Sequence, residues 1–206
     1  VKNYYSIISS GTEASTVSTA RKSLIAKAKE RPQQVKQVLD TFKSQGPINT
    51  YRAVTKKLES YSPLGYSSSG EVIAIGEGVT KYAVGDLVAC AGVGYANHAE
   101  IVSVPVNLCV KVHSRKVMRD ASYNTLGAIA MQGVRQANLN LGETCVVVGL
   151  GLLGQLTCLL LKASGVHVIG VDISQSAVDF SLKNSSVDHA IVRNNASIED
   201  KIKQWT

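Results

Sequence analysis

The sequence has no two cysteines close enough to form a CxxC motif and no long apolar run. Its four cysteines, Cys90, Cys109, Cys145 and Cys158, stand singly in apolar stretches. That spacing excludes the common dithiol and zinc-ribbon motifs and predicts buried, reduced thiols in a cytoplasmic protein. A zinc site built from Cys90, His98, Cys109 and His113 would match no common ligand spacing. No segment approaches the ~20 apolar residues of a membrane-spanning helix. No basic start followed by an apolar core and a small-residue cleavage site is present, though this carries little weight in a chain that begins with Val1. Internal repeats and low-complexity tracts are also missing. The basic residues are not interleaved with aromatics, as a stacking platform for nucleic acid would need.

What remains is an ordinary globular composition. The 206 residues are 45% hydrophobic and 18% charged, enough for one or two domains with a sizeable core. The net charge of +7 is concentrated in one place. Residues 17–60 hold ten Lys and Arg against three Asp and Glu, and the rest of the chain is balanced. A solvated outer face accounts for this segment; the functional alternative is a face that docks an acidic partner.

The chemistry is concentrated in Thr144–Ser174. An apolar β-branched run (Val146, Val147, Val148) breaks at Gly149, and glycines return at Gly151 and Gly154. A helical apolar pattern follows, then a second apolar run that stops at Asp172. This order predicts a strand, a Gly-rich turn, a helix and a second strand that ends in an acid. The first Gly permits the tight turn, the second admits a pyrophosphate close to the backbone, and the third lets the helix pack on the strand. The free N–H groups at the helix start favour a phosphate. Asp172 lies 23 residues past Gly149, near the ~20 expected for an acid that accepts from ribose hydroxyls. A carboxylate there would repel a 2′-phosphate, which favours NAD over NADP. The competing reading is an α/β crossover whose glycines serve packing alone.

The remainder reads in order. Residues 2–9 suggest a strand. Val35, Val38, Leu39 and Phe42 share one helical face; Pro32 suits that helix's first turn, and Gly46-Pro47 ends it. Tyr51, Val54 and Leu58 suggest another short helix. Strands are expected over 71–75 and 87–90 and through 99–112, with the Gly punctuation of a small barrel or sandwich. Residues 115–141 read as helical, 175–185 as helix, 190–192 as a third strand and 198–205 as helix.

Two stretches together carry a resemblance. Leu64-Gly65, Gly70-Glu71-Val72, Gly76-Glu77-Gly78-Val79 and Val84-Gly85-Asp86-Leu87-Val88 resemble the barrel signature of medium-chain dehydrogenases, the zinc-type alcohol dehydrogenases and their zinc-free relatives. The nucleotide fingerprint follows in the family's order. The resemblance implies an α/β plus β fold: a GroES-like β-barrel catalytic domain over 1–118, with a basic helical insert at about 14–60, then a partial Rossmann NAD(P)-binding domain over 119–206. It is nearest to a bacterial subgroup of zinc-binding dehydrogenases. Members of that subgroup often continue into a second oxidoreductase module and are associated with cell-surface polysaccharide genes. A small-molecule substrate is implied and a homo-oligomer is allowed. The resemblance also implies that this chain is a fragment, with further barrel strands before Val1 and the second half of the nucleotide sheet after Thr206.

The departures from the family pattern concern the metal. The zinc-dependent pattern Cys-Gly-Thr-Asp reads here Ser10-Gly11-Thr12-Glu13, and Gly-His-Glu reads Gly65-Tyr66-Ser67. The third ligand position falls near Asn124. A catalytic zinc takes three ligands from thiolate, imidazole and carboxylate, so no zinc is expected. The resemblance then leaves Tyr66, Thr12 and Glu13 as catalytic candidates. Thr12 aligns with the family's relay hydroxyl, Tyr66 stands where a His ligand would face the cleft, and Glu13 would orient either. The alternatives are structural: Thr12 and Glu13 as a helix cap and Tyr66 as a cleft wall. His98 and Glu100 read as barrel supports. The cofactor-binding candidates are Gly149, Gly151, Leu152, Leu153, Gly154 and Asp172. The resulting expectation is a zinc-independent oxidoreductase that moves a hydride between NAD(P)(H) and a carbonyl, alcohol or activated alkene. The alternative is a non-catalytic NAD(H)-binding module that docks an acidic partner.

Overall fold

The computed structural model describes residues 1–21, 32–59, 63–193 and 198–206. The expected helical insert at about 14–60 therefore falls partly outside the described residues, at 22–31 and 60. Strand β1 (Lys2–Ser6) is followed by α1 (Ser10–Arg21) and α2 (Pro32–Glu59). Helix α2 is broken at Gly46, whose φ of 79° only glycine adopts readily, with Pro47 directly after. The break falls where Gly46-Pro47 was expected to end a helix. Val35, Val38 and Phe42 on its first half remain exposed, as do Ile48 and Tyr51 beyond the break.

Strands β2 (Ser67–Glu71), β3 (Leu87–Ala91) and β4 (Cys109–Lys111) complete an antiparallel sheet of order β1-β2-β3-β4. Here the structure corrects the sequence reading. The apolar run expected as a strand at 71–75 leaves Ile73 and Ile75 exposed. The strand lies earlier, over Ser67-Ser68-Ser69-Gly70-Glu71, and those three serines are fully buried. Two of their hydroxyls find carbonyl partners: Ser67 Oγ donates to Ser122 O at 2.6 Å and Ser69 Oγ to Met118 O at 2.5 Å. A buried hydroxyl so bonded carries little penalty, which is how a polar run becomes a central strand. The stretch 99–112 contributes β4 and one bridge, Ile101 to Lys2, rather than continuous strand.

The expected helical stretch at 115–141 divides into a short turn at Arg115–Val117, α3 (Met118–Ala121) and α4 (Asn124–Ala137). Then come β5 (Thr144–Val148), α5 (Leu152–Ala163), β6 (His167–Asp172), α6 (Gln175–Lys183), β7 (His189–Val192) and α7 (Ile198–Trp205). The last three strands form a parallel sheet of order β5-β6-β7.

Each sheet has its own core. Val72, Tyr82, Val88, Cys90 and Ala96 pack together on the antiparallel sheet. Leu150, Cys158, Leu161, Val166, Val168, Val178 and Val187 form the core of the parallel sheet and its helices. Helix α4 packs on α5 and also reaches β2 and β3, so it joins the two sheets. No described helix is long and apolar enough to cross a membrane.

Candidate functional site

The turn between β5 and α5 is shaped by three glycines with three different duties. Gly149 has φ 96°, a left-handed conformation that a side chain would strain. A Cβ on Gly154 would lie 1.8 Å from Gly149 O, so helix and turn touch there backbone to backbone. Gly151 is extended at φ −70° and a Cβ on it would meet nothing within 4 Å. The first and third glycines are thus required by the chain itself, whereas the second leaves an open approach to the turn.

Gly151 is also the N-cap of α5, and among the described residues no side chain caps that helix. The amides of Leu152, Leu153 and Gly154 therefore begin α5 as donors aimed out of its N-terminus. By contrast α6 is closed by its own N-cap, Ser174, whose hydroxyl accepts from Ala177 N at 3.4 Å. Leu152 and Leu153 are partly exposed, at 36% and 42%.

Asp172 ends β6 beside this turn. Its Oδ2 accepts from Leu150 N at 2.6 Å and its Oδ1 from Ser174 N at 2.8 Å. These backbone donors, Leu150 first, hold the carboxyl below the usual aspartate range. Leu150 was not among the sequence candidates, yet its amide ties the acid to the turn and its buried side chain anchors the turn in the core. Its position inside the Gly-x-Gly spacing was the available signal. Ile173, next along, is 80% exposed at the rim.

A second group of candidates gathers around the antiparallel sheet. Glu13 is 8% exposed near the start of α1. Its Oε1 accepts from Ser9 N at 3.1 Å, and Glu13 N donates to Ser9 O at 2.8 Å. Its two carboxylate oxygens lie 3.0 and 3.1 Å from His98 Nε2, and His98 Nδ1 lies 2.9 Å from Ser6 Oγ. The chain thus holds Ser6, His98 and Glu13 in one line. His98 was read as a barrel support, and its pairing with Glu13 spans 85 residues, beyond any local motif. Gly65, at φ 91°, exists to admit this histidine: a Cβ there would sit 2.7 Å from His98 N.

Thr12 is exposed, and its Oγ1 lies 3.3 Å from Ser9 Oγ, within the turn that opens α1. Tyr66 is half-buried, and its backbone oxygen accepts from Gly92 N and from Thr125 Oγ1, each at 3.0 Å.

The donor chemistry at the family's zinc positions can be tested directly. Asn124 Nδ2 donates to three carbonyls, Cys90 O at 3.0 Å, Ala121 O at 3.2 Å and Ser68 O at 3.3 Å. Its amide is spent on pinning α4 to β2 and β3. Ser10 supplies a hydroxyl and Tyr66 a phenol, neither of which is a good zinc donor. The set does not fit the metal. Among the described residues, no three His, Cys, Asp or Glu side chains are grouped so as to hold one. Cys90 and Cys109 do come together, whereas His98 is engaged elsewhere.

No protein-family model matches the chain. In sequence it is similar to the D-guloside 3-dehydrogenase of Escherichia coli K12, at 39% identity over 115 residues, which cover 53% of this chain and 31% of that protein. It is also similar to the D-xylulose reductase A of Aspergillus niger, at 30% identity over 148 residues, 58% of this chain and 41% of that one. The chain thus spans less than half the length of either relative. In fold it resembles the Escherichia coli quinone oxidoreductase whose structure holds NADPH, with a TM-score of 0.62 at 20% identity, over 77% of this chain and 50% of that one. Its sequence relatives and fold neighbours are zinc-type, medium-chain dehydrogenases and oxidoreductases, each matched over only part of its length.

Proposed function

We propose that this chain belongs to an NAD-dependent, zinc-independent medium-chain oxidoreductase acting on a small carbonyl, alcohol or activated alkene. The observation that carries the reading is the β5–α5 turn. Gly151 leaves it open, α5 starts uncapped, and Asp172 stands at its side. Gly149, Gly151, Leu152, Leu153 and Gly154 line a pyrophosphate seat whose donors are the N–H groups that open α5, since Gly149 N already donates to Val171 O at 2.7 Å. Asp172, held in its charged form by the hydrogen bonds it accepts from two backbone N–H groups, offers its remaining acceptor capacity to the adenosine ribose. The bound dinucleotide supplies hydride donor and acceptor chemistry.

The other sheet supplies the proton side. Tyr66 is the proton donor or acceptor for the substrate oxygen, and Thr12 the relay hydroxyl. Glu13 orients this wall by fixing His98 against Ser6 and Gly65. The absence of zinc rests on the donor set: an amide engaged with three carbonyls, a serine and a phenol. Residues 1–118 make up the catalytic domain and 119–206 the nucleotide-binding half. The relatives' own names, a guloside dehydrogenase and a xylulose reductase, favour a polyhydroxylated substrate.

The test is a fluorescence titration of the protein with NADH and with NADPH, alongside metal analysis by plasma spectrometry. NADH should bind at least ten-fold more tightly than NADPH, and zinc should be well below one per chain. Equal affinity for NADPH would overturn the role given to Asp172, and stoichiometric zinc would overturn the donor-set argument. Tyr66→Phe should leave NADH affinity unchanged and lower turnover on the accepted carbonyl by ~100-fold or more, the usual scale for losing a general acid.

A further inference from the structure

Cys90 on β3 and Cys109 on β4 face each other in the strand register, with their sulfurs 3.8 Å apart. Val112 N donates to Leu87 O at 2.8 Å, which makes Leu87 and Val112 a hydrogen-bonded pair. The two-residue alternation of an antiparallel ladder then makes Cys90 and Cys109 a non-hydrogen-bonded pair, the kind whose side chains approach most closely. Such pairs sit with Cα atoms ~4.5 Å apart, inside the ~4.4–6.8 Å that a disulfide spans. Closing the bond therefore needs rotation of two side chains and no movement of strands. Cys90 is fully buried. Cys109 is half-buried and lines a cavity of about 380 Å³ with Val72, Tyr82, Val88 and Val104.

We propose that Cys90 and Cys109 form an oxidation site, a dithiol that a peroxide closes to a cross-strand disulfide. The Cys109 thiolate attacks one peroxide oxygen and the O–O bond breaks. That oxygen stays on sulfur as a sulfenic acid, and the other leaves as hydroxide, which becomes water by taking up the proton that Cys109 released on ionising. The Cys90 sulfur then attacks the Cys109 sulfur; the S–S bond forms, the S–O bond breaks, and the second water carries away the Cys90 proton. Two thiols and one peroxide give one disulfide and two waters. The two sulfurs lose the two electrons that the peroxide gains.

The order of attack follows from the environments. The hydrogen bond from the Cys90 thiol, against some burial, holds the Cys109 thiol down to about 7. Cys90 is driven the other way by that same bond and by burial. Cys109 is thus both the readier nucleophile and the one facing the cavity. The other two cysteines provide an internal contrast, since burial raises Cys145 and pushes Cys158 up to about 11.

The test treats the full chain with hydrogen peroxide, blocks the remaining thiols with iodoacetamide and maps the digested peptides by mass spectrometry. The expected result is one cross-linked pair, Cys90 with Cys109, lighter by two hydrogens and reopened by dithiothreitol, with Cys145 and Cys158 alkylated. Oxidised protein should melt several degrees higher than reduced protein, as a closed loop restricts the unfolded chain. In Cys90→Ala the Cys109 sulfenic acid should persist and react with dimedone. If that variant does not fold, the peptide map of the unaltered protein decides alone. Alkylation of all four cysteines after peroxide, a cross-link between any other pair, or Cys109 sulfinic acid beside a free Cys90 would each overturn the proposal.

Discussion

Leu150 donates its backbone N–H to Asp172 Oδ2 at 2.6 Å, across 22 residues of sequence. One carboxylate therefore braces the Gly-rich turn from the end of β6 and ties it to the start of the next loop. Because Leu150 and Ser174 hold its folded pKa below the unfolded value near 3.9, Asp172 stabilises the fold at neutral pH. That contribution is present above the unfolded pKa and is lost as pH falls through the folded one. Asp172→Asn should lower Tm at pH 7, and the gap to the unaltered protein should close below about pH 4. Melting curves taken from pH 7 down to strong acid check this; a gap that persists in acid would mean the charge is irrelevant.

The glycines separate a packing role from a binding role. Gly154→Ala places a Cβ 1.8 Å from Gly149 O and should cost at least ~2 kcal/mol of stability, as overpacking does. Gly151→Ala meets open space and should keep its Tm within about 2 °C, a change of under ~0.5 kcal/mol. It should nevertheless weaken NADH binding ten-fold or more. Unchanged affinity in Gly151→Ala would reduce the three glycines to a packing device.

Three neighbouring serines on β2 should respond differently. Ser69→Ala strips a donor from Met118 O and should cost ~1–3 kcal/mol, and Ser67→Ala should cost about the same at Ser122 O. Ser68 Oγ is buried with no partner among the described residues, so Ser68→Ala should be neutral or stabilising. Urea unfolding of the three variants measures this; equal losses at all three would contradict the hydrogen-bond account.

The chain has one tryptophan, Trp205, and its ring stacks on His189 with centroids 4.6 Å apart at 8°. This contact holds α7 against the start of β7. His189→Ala should raise acrylamide quenching of Trp205 emission and shift that emission to the red. An unaltered quenching constant would show that the helix is held by other means.

The parallel sheet and its helices were legible because their signal is local. Gly149, Gly151 and Gly154 stand at fixed offsets, and Val146–Val148 and Val168–Val171 announce two strands, which the structure pairs in parallel. The antiparallel sheet was less legible because its determinants are distant. Ser67–Ser69 look like a loop until the carbonyls of Met118 and Ser122 are in view. Ile73 and Ile75 look like a strand until their exposure is seen. The pairing of His98 with Glu13 and that of Cys90 with Cys109 are products of folding, and no spacing rule along the chain encodes either.

Asn124 has a consequence for anyone redesigning this protein as a metalloenzyme. Its amide serves the carbonyls of Ser68, Cys90 and Ala121 together. Exchanging it for a cysteine would supply one thiolate while removing the donor that ties α4 to β2 and β3. A thiolate introduced there alone would therefore loosen the seam that joins helix to sheet unless another contact replaced that tie.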